Sequence, residues 1–132
     1  MKYGHSYLKI KNRFFPLIPI KLVSNKNIID TLAYLDSGAS ISLFRIDIAN
    51  QLDIDTESGE KIHLEGISGK ITVYIHKLKI IVDDIEFILK VGFSEEYVAS
   101  FNLLGRDNFF TKFLITFDEI KRKIVLETLE NL

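Results

Sequence analysis

YLDSGAS, residues 34–40, sets a single acidic residue at the end of an apolar run and directly before Ser and Gly. The run before it, TLAYL, is β-prone, so Asp36 is expected where a strand leaves the core and turns, its carboxylate partly buried and supported by local donors. Gly38 permits a tight turn and lets another backbone or a ligand approach closely. The Ser37 hydroxyl can donate or accept and so can lock a neighbouring loop, whereas Ala39 offers no hydroxyl at all. Taken alone, Asp-Ser-Gly is also ordinary turn chemistry at a strand end. The segments around it decide between the two.

Short β-type segments separated by turn chemistry fill most of the chain. PLIPIKLV (16–23) and IIDTLAYLD (28–36) flank the polar cluster Ser24-Asn25-Lys26-Asn27 and predict a hairpin. A longer hairpin is expected where KIHLEGISGKITVYIHKLKIIV alternates apolar and polar residues on both sides of Gly66-Ile67-Ser68-Gly69. KIIVDDIEFILKV turns at Asp83-Asp84, and FLITFDEIKRKIVLETL turns between Asp118 and Arg122. Pro16 and Pro19 point to an edge or entry strand, since proline cannot donate to a central ladder. Two stretches depart from this pattern. Phe44, Ile48 and Leu52 recur at four-residue steps after a possible Ser42 cap, and Phe109 and Phe113 are also four apart, so two short helices are expected. Many short strands in so small a chain favour a closed or sandwiched sheet: an all-β fold with one or two short helices.

With 132 residues and 47% hydrophobic content, the chain has material for one core, so residues 1–132 are read as a single domain. The net charge of −1 comes from interspersed Lys, Arg, Asp and Glu, which leaves no broad basic field for nucleic acid or anionic lipid. No apolar run approaches the roughly 18 residues of a membrane span. MKYGHSYLKIKNR lacks the apolar centre of a signal peptide, and a cytoplasmic protein is expected. Cysteine is absent, so disulfides and thiol chemistry are excluded, and His5, His63 and His76 share no ligand-like spacing. Neither a metal nor another cofactor is expected.

In order along the chain come YLDSGAS, then EGISGK, then LLGRD at 103–107. An apolar pair before Asp-Ser-Gly-Ala, a glycine-flanked hairpin tip midway, and Leu-Leu-Gly-Arg-Asp together resemble the retroviral-type aspartic proteases, the retropepsin family. The resemblance spans roughly Pro16 to Leu126 and is closer to the family's cellular and microbial members. It implies a closed acid-protease barrel working as a symmetric homodimer that cleaves extended polypeptide. Each chain would supply one catalytic Asp36, and no second Asp-Ser-Gly or Asp-Thr-Gly exists within it.

By the same resemblance, Ser37, Gly38 and Ala39 support the active-site loop. A flap over about 62–74 carries Gly66, Ile67, Ser68 and Gly69 at its tip. A C-terminal hairpin over about 113–128 helps build the dimer. Leu43, Ile67, Phe101 and Leu103 are candidate apolar subsites, with core packing as the competing reading. Gly105, Arg106 and Asp107 are assigned structural roles. The family's arginine pairs with an aspartate shortly after the catalytic loop, but Ser40 stands there in this chain, so the partner of Arg106 stays open, Asp107 being one option. Because Ala39 offers no hydroxyl to the carboxylate, activity is expected to peak at mildly acidic pH. A dimeric peptide-binding module without turnover is the alternative on the same fold.

Overall fold

Period-two alternation of apolar and polar side chains becomes a strand wherever one face can be buried, and here it does so repeatedly. The computed structural model describes residues 1–25, 27–66 and 69–129. The order is β1 (Lys2–Ser6), β2 (Leu8–Ile10), β3 (Arg13–Phe15), β4 (Leu17–Ser24), β5 (Asn27–Leu35), β6 (Ser42–Phe44) and helix α1 (Ile46–Gln51). After a 3₁₀ turn at Thr56–Ser58 follow β7 (Glu60–Gly66), β8 (Gly69–Val82), β9 (Ile85–Phe93), β10 (Asn102–Leu104), β11 (Phe113–Asp118) and β12 (Lys123–Thr128). None of the helices among the described residues is long and apolar enough to cross a membrane.

The main sheet runs β4-β5-β10-β6-β9-β8-β7, and β4 also pairs with β8, Lys21–Val23 against Lys79–Ile81. That pairing closes β4 through β8 into a barrel and leaves β7 outside it as the free arm of the β7–β8 hairpin. Two pairs are parallel, β10 with β5 and β6 with β9, and both lie beside the loop that carries Asp36. Inside the barrel, Ile18, Ile20 and Leu22 of β4 meet Leu78, Ile80 and Val82 of β8 and Leu89, Val91 and Phe93 of β9. Phe44, Phe93 and Phe109 are wholly buried, and removing each such ring from water stabilises the fold by about 2–3 kcal/mol. A separate sheet, β1-β12-β11, covers one end and sends Ile124 and Leu126 into the core. Tyr7 fastens this end: its amide donates to Arg122 O at 2.8 Å and its phenol to Glu119 Oε1 at 2.9 Å.

The hairpins expected around residues 24–27, 66–69, 83–84 and 118–122 are present, although Lys26, Ile67 and Ser68 lie outside the described residues. Pro19 sits where β4 has β5 on one side only, before β8 joins at Lys21.

Two local readings change. Ser42 caps no helix, because Ser42–Phe44 forms a fully buried strand between β10 and β9. Helix α1 instead begins after Arg45, which is extended and contributes no side-chain cap. Pairing on both edges outweighs a four-residue apolar repeat that continues into the helix. At Arg106–Phe110 there is one irregular turn rather than a regular helix, broken by Asp107 (ψ 122°) and Asn108 (φ 68°). Phe109 and Phe113 nonetheless meet in the core with ring centroids 5.4 Å apart.

Candidate active site

Strand β5 buries Ala33 and Leu35, so the alternate residues Leu32, Tyr34 and Asp36 fall on its other face. Asp36 is the first residue beyond the strand, and its amide donates to Leu104 O of parallel β10 at 3.0 Å. Its half-buried carboxylate is held at one oxygen, Oδ1, by the Gly38 amide at 2.9 Å, while the Ala39 amide closes the turn on Asp36 O at 3.2 Å. Exposed Ser37 has no hydrogen bond among the described residues, so its hydroxyl is available to a second surface.

The rest of the loop hangs on the segment after β10. The Arg106 amide donates to Ala39 O and the Asp107 amide to Ser40 O, both at 2.9 Å. The Gly105 amide donates to buried Ser42 Oγ at 3.1 Å. Gly105 comes so close to the loop that a Cβ on it would stand 2.2 Å from Ile41 O and 2.9 Å from Ala39 O. The Leu-Leu-Gly-Arg-Asp segment therefore fixes the Asp-Ser-Gly-Ala segment through main-chain contacts. The side chains of Arg106 and Asp107 are exposed and make no hydrogen bond or ion pair with each other or with any other described residue.

The arginine that does brace this region is Arg45. Its Nε donates to Asp47 Oδ1 at 3.0 Å, and its Nη1 donates to Ala99 O at 3.2 Å and Ser100 O at 3.4 Å. Asn102, only 4% exposed, joins three elements: its Oδ1 accepts the Arg45 amide at 2.9 Å, and its Nδ2 donates to Thr31 Oγ1 and Leu32 O. Asn102→Ala takes this partner from that amide and from the Leu32 carbonyl, both partly buried, and a loss of about 1 kcal/mol is expected in urea unfolding. An unchanged midpoint would show that solvent reaches both groups.

Phe101 and Leu103 are half-buried at the open face, whereas Leu43 is 8% exposed and paired with Leu103 in the wall of the core. Phe101 stacks on Tyr34 at 5.8 Å and packs against Phe15 at 5.1 Å, an aromatic wall on the Asp36 side of β5. Of the proposed subsite residues, Ile67 lies outside the described residues.

Tyr97 stands next to this wall. Its phenol donates to Phe101 O at 2.5 Å; burial pushes its pKa up to about 12, with the negative charge of Asp36 adding to the rise and Arg45 opposing it. The phenol is therefore a neutral donor at any working pH. Tyr34 could have been found from the sequence, because residues two apart share a strand face. No sequence signal marks Arg45, Tyr97 or Asn102, whose partners are set by the tertiary fold.

No family model matches this sequence, and no curated protein does. Among solved structures, the chain matches the crystal structure of a retropepsin-like aspartic protease from Rickettsia conorii with a TM-score of 0.71, covering 96% of this chain and 98% of that one. The fold is retropepsin-like. Sequence identity across that match is 17%, so the likeness is one of backbone path. On this retropepsin-like fold, the chemistry has to be read from Asp36 and its surroundings.

Proposed function

We propose that the chain is a homodimeric aspartic endopeptidase acting on extended polypeptide. The observation that carries this reading is the Asp36 carboxylate, half-exposed, held at one oxygen by the Gly38 amide and standing on a loop pinned from residues 104–107. One chain supplies one such carboxylate, and water activation by aspartates needs two. A two-fold axis beside the loop brings in Asp36 of a second copy, and the Ser37 hydroxyls, without a partner among the described residues, brace the paired loops in this reading.

Two carboxylates about 3 Å apart cannot both ionise, so the pair holds one proton between them. The ionised member takes a proton from a water molecule as that water attacks the peptide carbonyl. The protonated member donates to the carbonyl oxygen, where negative charge develops. Protonation of the leaving nitrogen then breaks the C–N bond, with no covalent acyl-enzyme. The β7–β8 hairpin serves as the flap, excluding water and ordering the peptide. The aromatic wall of Phe15, Tyr34 and Phe101 offers an apolar side chain a surface beside the scissile bond. Next to Phe101, a cavity of about 500 Å³, lined by Leu17 and Ile48 but also by Asp30, Arg45 and Asp47, has room for a further side chain with a polar end.

The test is cleavage of an unfolded protein at mildly acidic pH over a range of enzyme concentrations. Specific activity is expected to rise with concentration until the dimer saturates; full activity from a species that sediments as a monomer overturns the reading. If wild type binds peptide without cutting it, the chain is a binding module on this fold.

A pH profile of kcat/KM follows from position 39. Among the described residues only the Gly38 amide donates to the carboxylate, and Ala39 offers no hydroxyl, so activity is expected to peak at mildly acidic pH. Ala39→Ser adds a donor to the anion and is expected to move the profile to lower pH. An optimum at strongly acidic pH in wild type contradicts this.

A further inference from the structure

Strand β8 is longer than its neighbour. β9 stops at Phe93, opposite Tyr74, so on that side the outer part of β8, Gly69–Val73, has no strand beside it among the described residues, although β7 pairs with it along the other side. Two residues beyond the last β8–β9 pair, the Thr72 amide donates to Glu96 Oε1 at 2.9 Å. A side-chain carboxylate takes the place that the next ladder carbonyl would have filled.

Glu96 belongs to the loop of residues 94–101, which is braced along its length. Its own amide donates to Oγ of buried Ser94 at 3.1 Å, and the Tyr97 amide donates to Ser94 O at 3.2 Å. The Tyr97 phenol bonds Phe101 O, and Arg45 holds Ala99 O and Ser100 O. The same loop adjoins the site, since Tyr97 feels the Asp36 charge and Phe101 belongs to the aromatic wall.

We propose that Glu96 is a positioning residue, a latch that ties the middle of the β7–β8 hairpin to the loop beside Asp36. The inference rests on the peptidase reading, in which that hairpin closes over substrate. A carboxylate accepting a main-chain amide makes a charge-assisted bond, and at a solvent-exposed place it can open and reclose. It restrains the hairpin midway along its length, at the His63–Thr72 pair, without cementing it. Without the latch, substrate must order the arm on binding, and that cost falls on KM; once the arm is closed, the reacting groups are unchanged and kcat is kept.

The experiment compares the full-length wild type with Glu96→Ala and Glu96→Gln. Amide hydrogen exchange at Thr72 is expected to be faster by about 10-fold in Glu96→Ala, with core amides such as that of Val91 unaffected, and intermediate in Glu96→Gln, which keeps a carbonyl acceptor. With a cleavable peptide, KM is expected to rise several-fold in Glu96→Ala while kcat stays within about two-fold of wild type. Unchanged exchange at Thr72 overturns the latch. Faster exchange with unchanged KM overturns its positioning role. A wild type that binds peptide but cleaves nothing removes the peptidase reading, and Thr72 exchange together with peptide affinity in the same variants then decides the latch.

Discussion

Asp36→Asn is expected to abolish cleavage, with kcat/KM falling by about 10³-fold or more, while the protein stays folded and keeps the oligomeric state of wild type. The side chains have the same shape, and the amide oxygen of Asn can still accept the Gly38 amide that now meets Oδ1 at 2.9 Å. Asp36 is half-buried and forms no ion pair with any other described residue, so its replacement orphans no partner. What disappears is the group able to take a proton from water. A mixing experiment sharpens the test. If each site draws one carboxylate from each chain, wild type exchanged into dimers with an equal amount of Asp36→Asn loses about half its activity, because half of its chains become trapped in dead heterodimers. Activity that is simply additive, with exchange of subunits shown independently, would mean that one chain carries a complete site. Equal cleavage by wild type and Asp36→Asn would place the chemistry elsewhere.

The parts of this site that were legible in the sequence are those written in local chemistry. Asp-Ser-Gly-Ala had to end a strand because an apolar run precedes it, and the hairpins at 24–27 and 83–84 declared themselves by polar turns between alternating segments. Leu-Leu-Gly-Arg-Asp was visible as a segment, but its way of acting was not. The arginine drew attention as a cation in search of a partner, whereas the structure uses its amide, the amide of Asp107 and the missing Cβ of Gly105. Main-chain contacts leave no mark on side-chain chemistry.

The N-terminal strands escaped for a different reason. β2 is exposed throughout and β3 nearly so, and they are joined at Lys11 (φ 49°) and Asn12 (φ 65°), a two-residue turn without glycine. With no buried face there is no alternation to read. Glu96 and Arg45 escaped because their partners lie 24 and more than 50 residues away, and only the barrel's closure brings them together.

Gly105→Ala is expected to be the most damaging single methyl group that can be added near the site. The residue is extended, with φ −98° and ψ −177°, so alanine meets no backbone strain there. The obstacle is space. The added Cβ would stand 2.2 Å from Ile41 O, 2.4 Å from Ile41 C and 2.9 Å from Ala39 O, all main-chain atoms that no rotamer change can move aside. The loop of residues 36–42 must retreat by about 1 Å, which pulls on the bonds from Arg106 to Ala39 and from Gly105 to Ser42. A loss of about 3 kcal/mol or more is expected in urea unfolding. Where the folded fraction is restored by cooling, kcat/KM is expected to stay about 100-fold low, because Asp36 moves with its loop. Gly4→Ala supplies the comparison: nothing lies within 4 Å of the Cβ it would add, and a change within about 0.5 kcal/mol is expected. If the two variants were equally stable, the approach of Gly105 to Ile41 would be looser than the structure has it. The Asp36 loop would then need some other support to keep its carboxylate in register with that of a second chain.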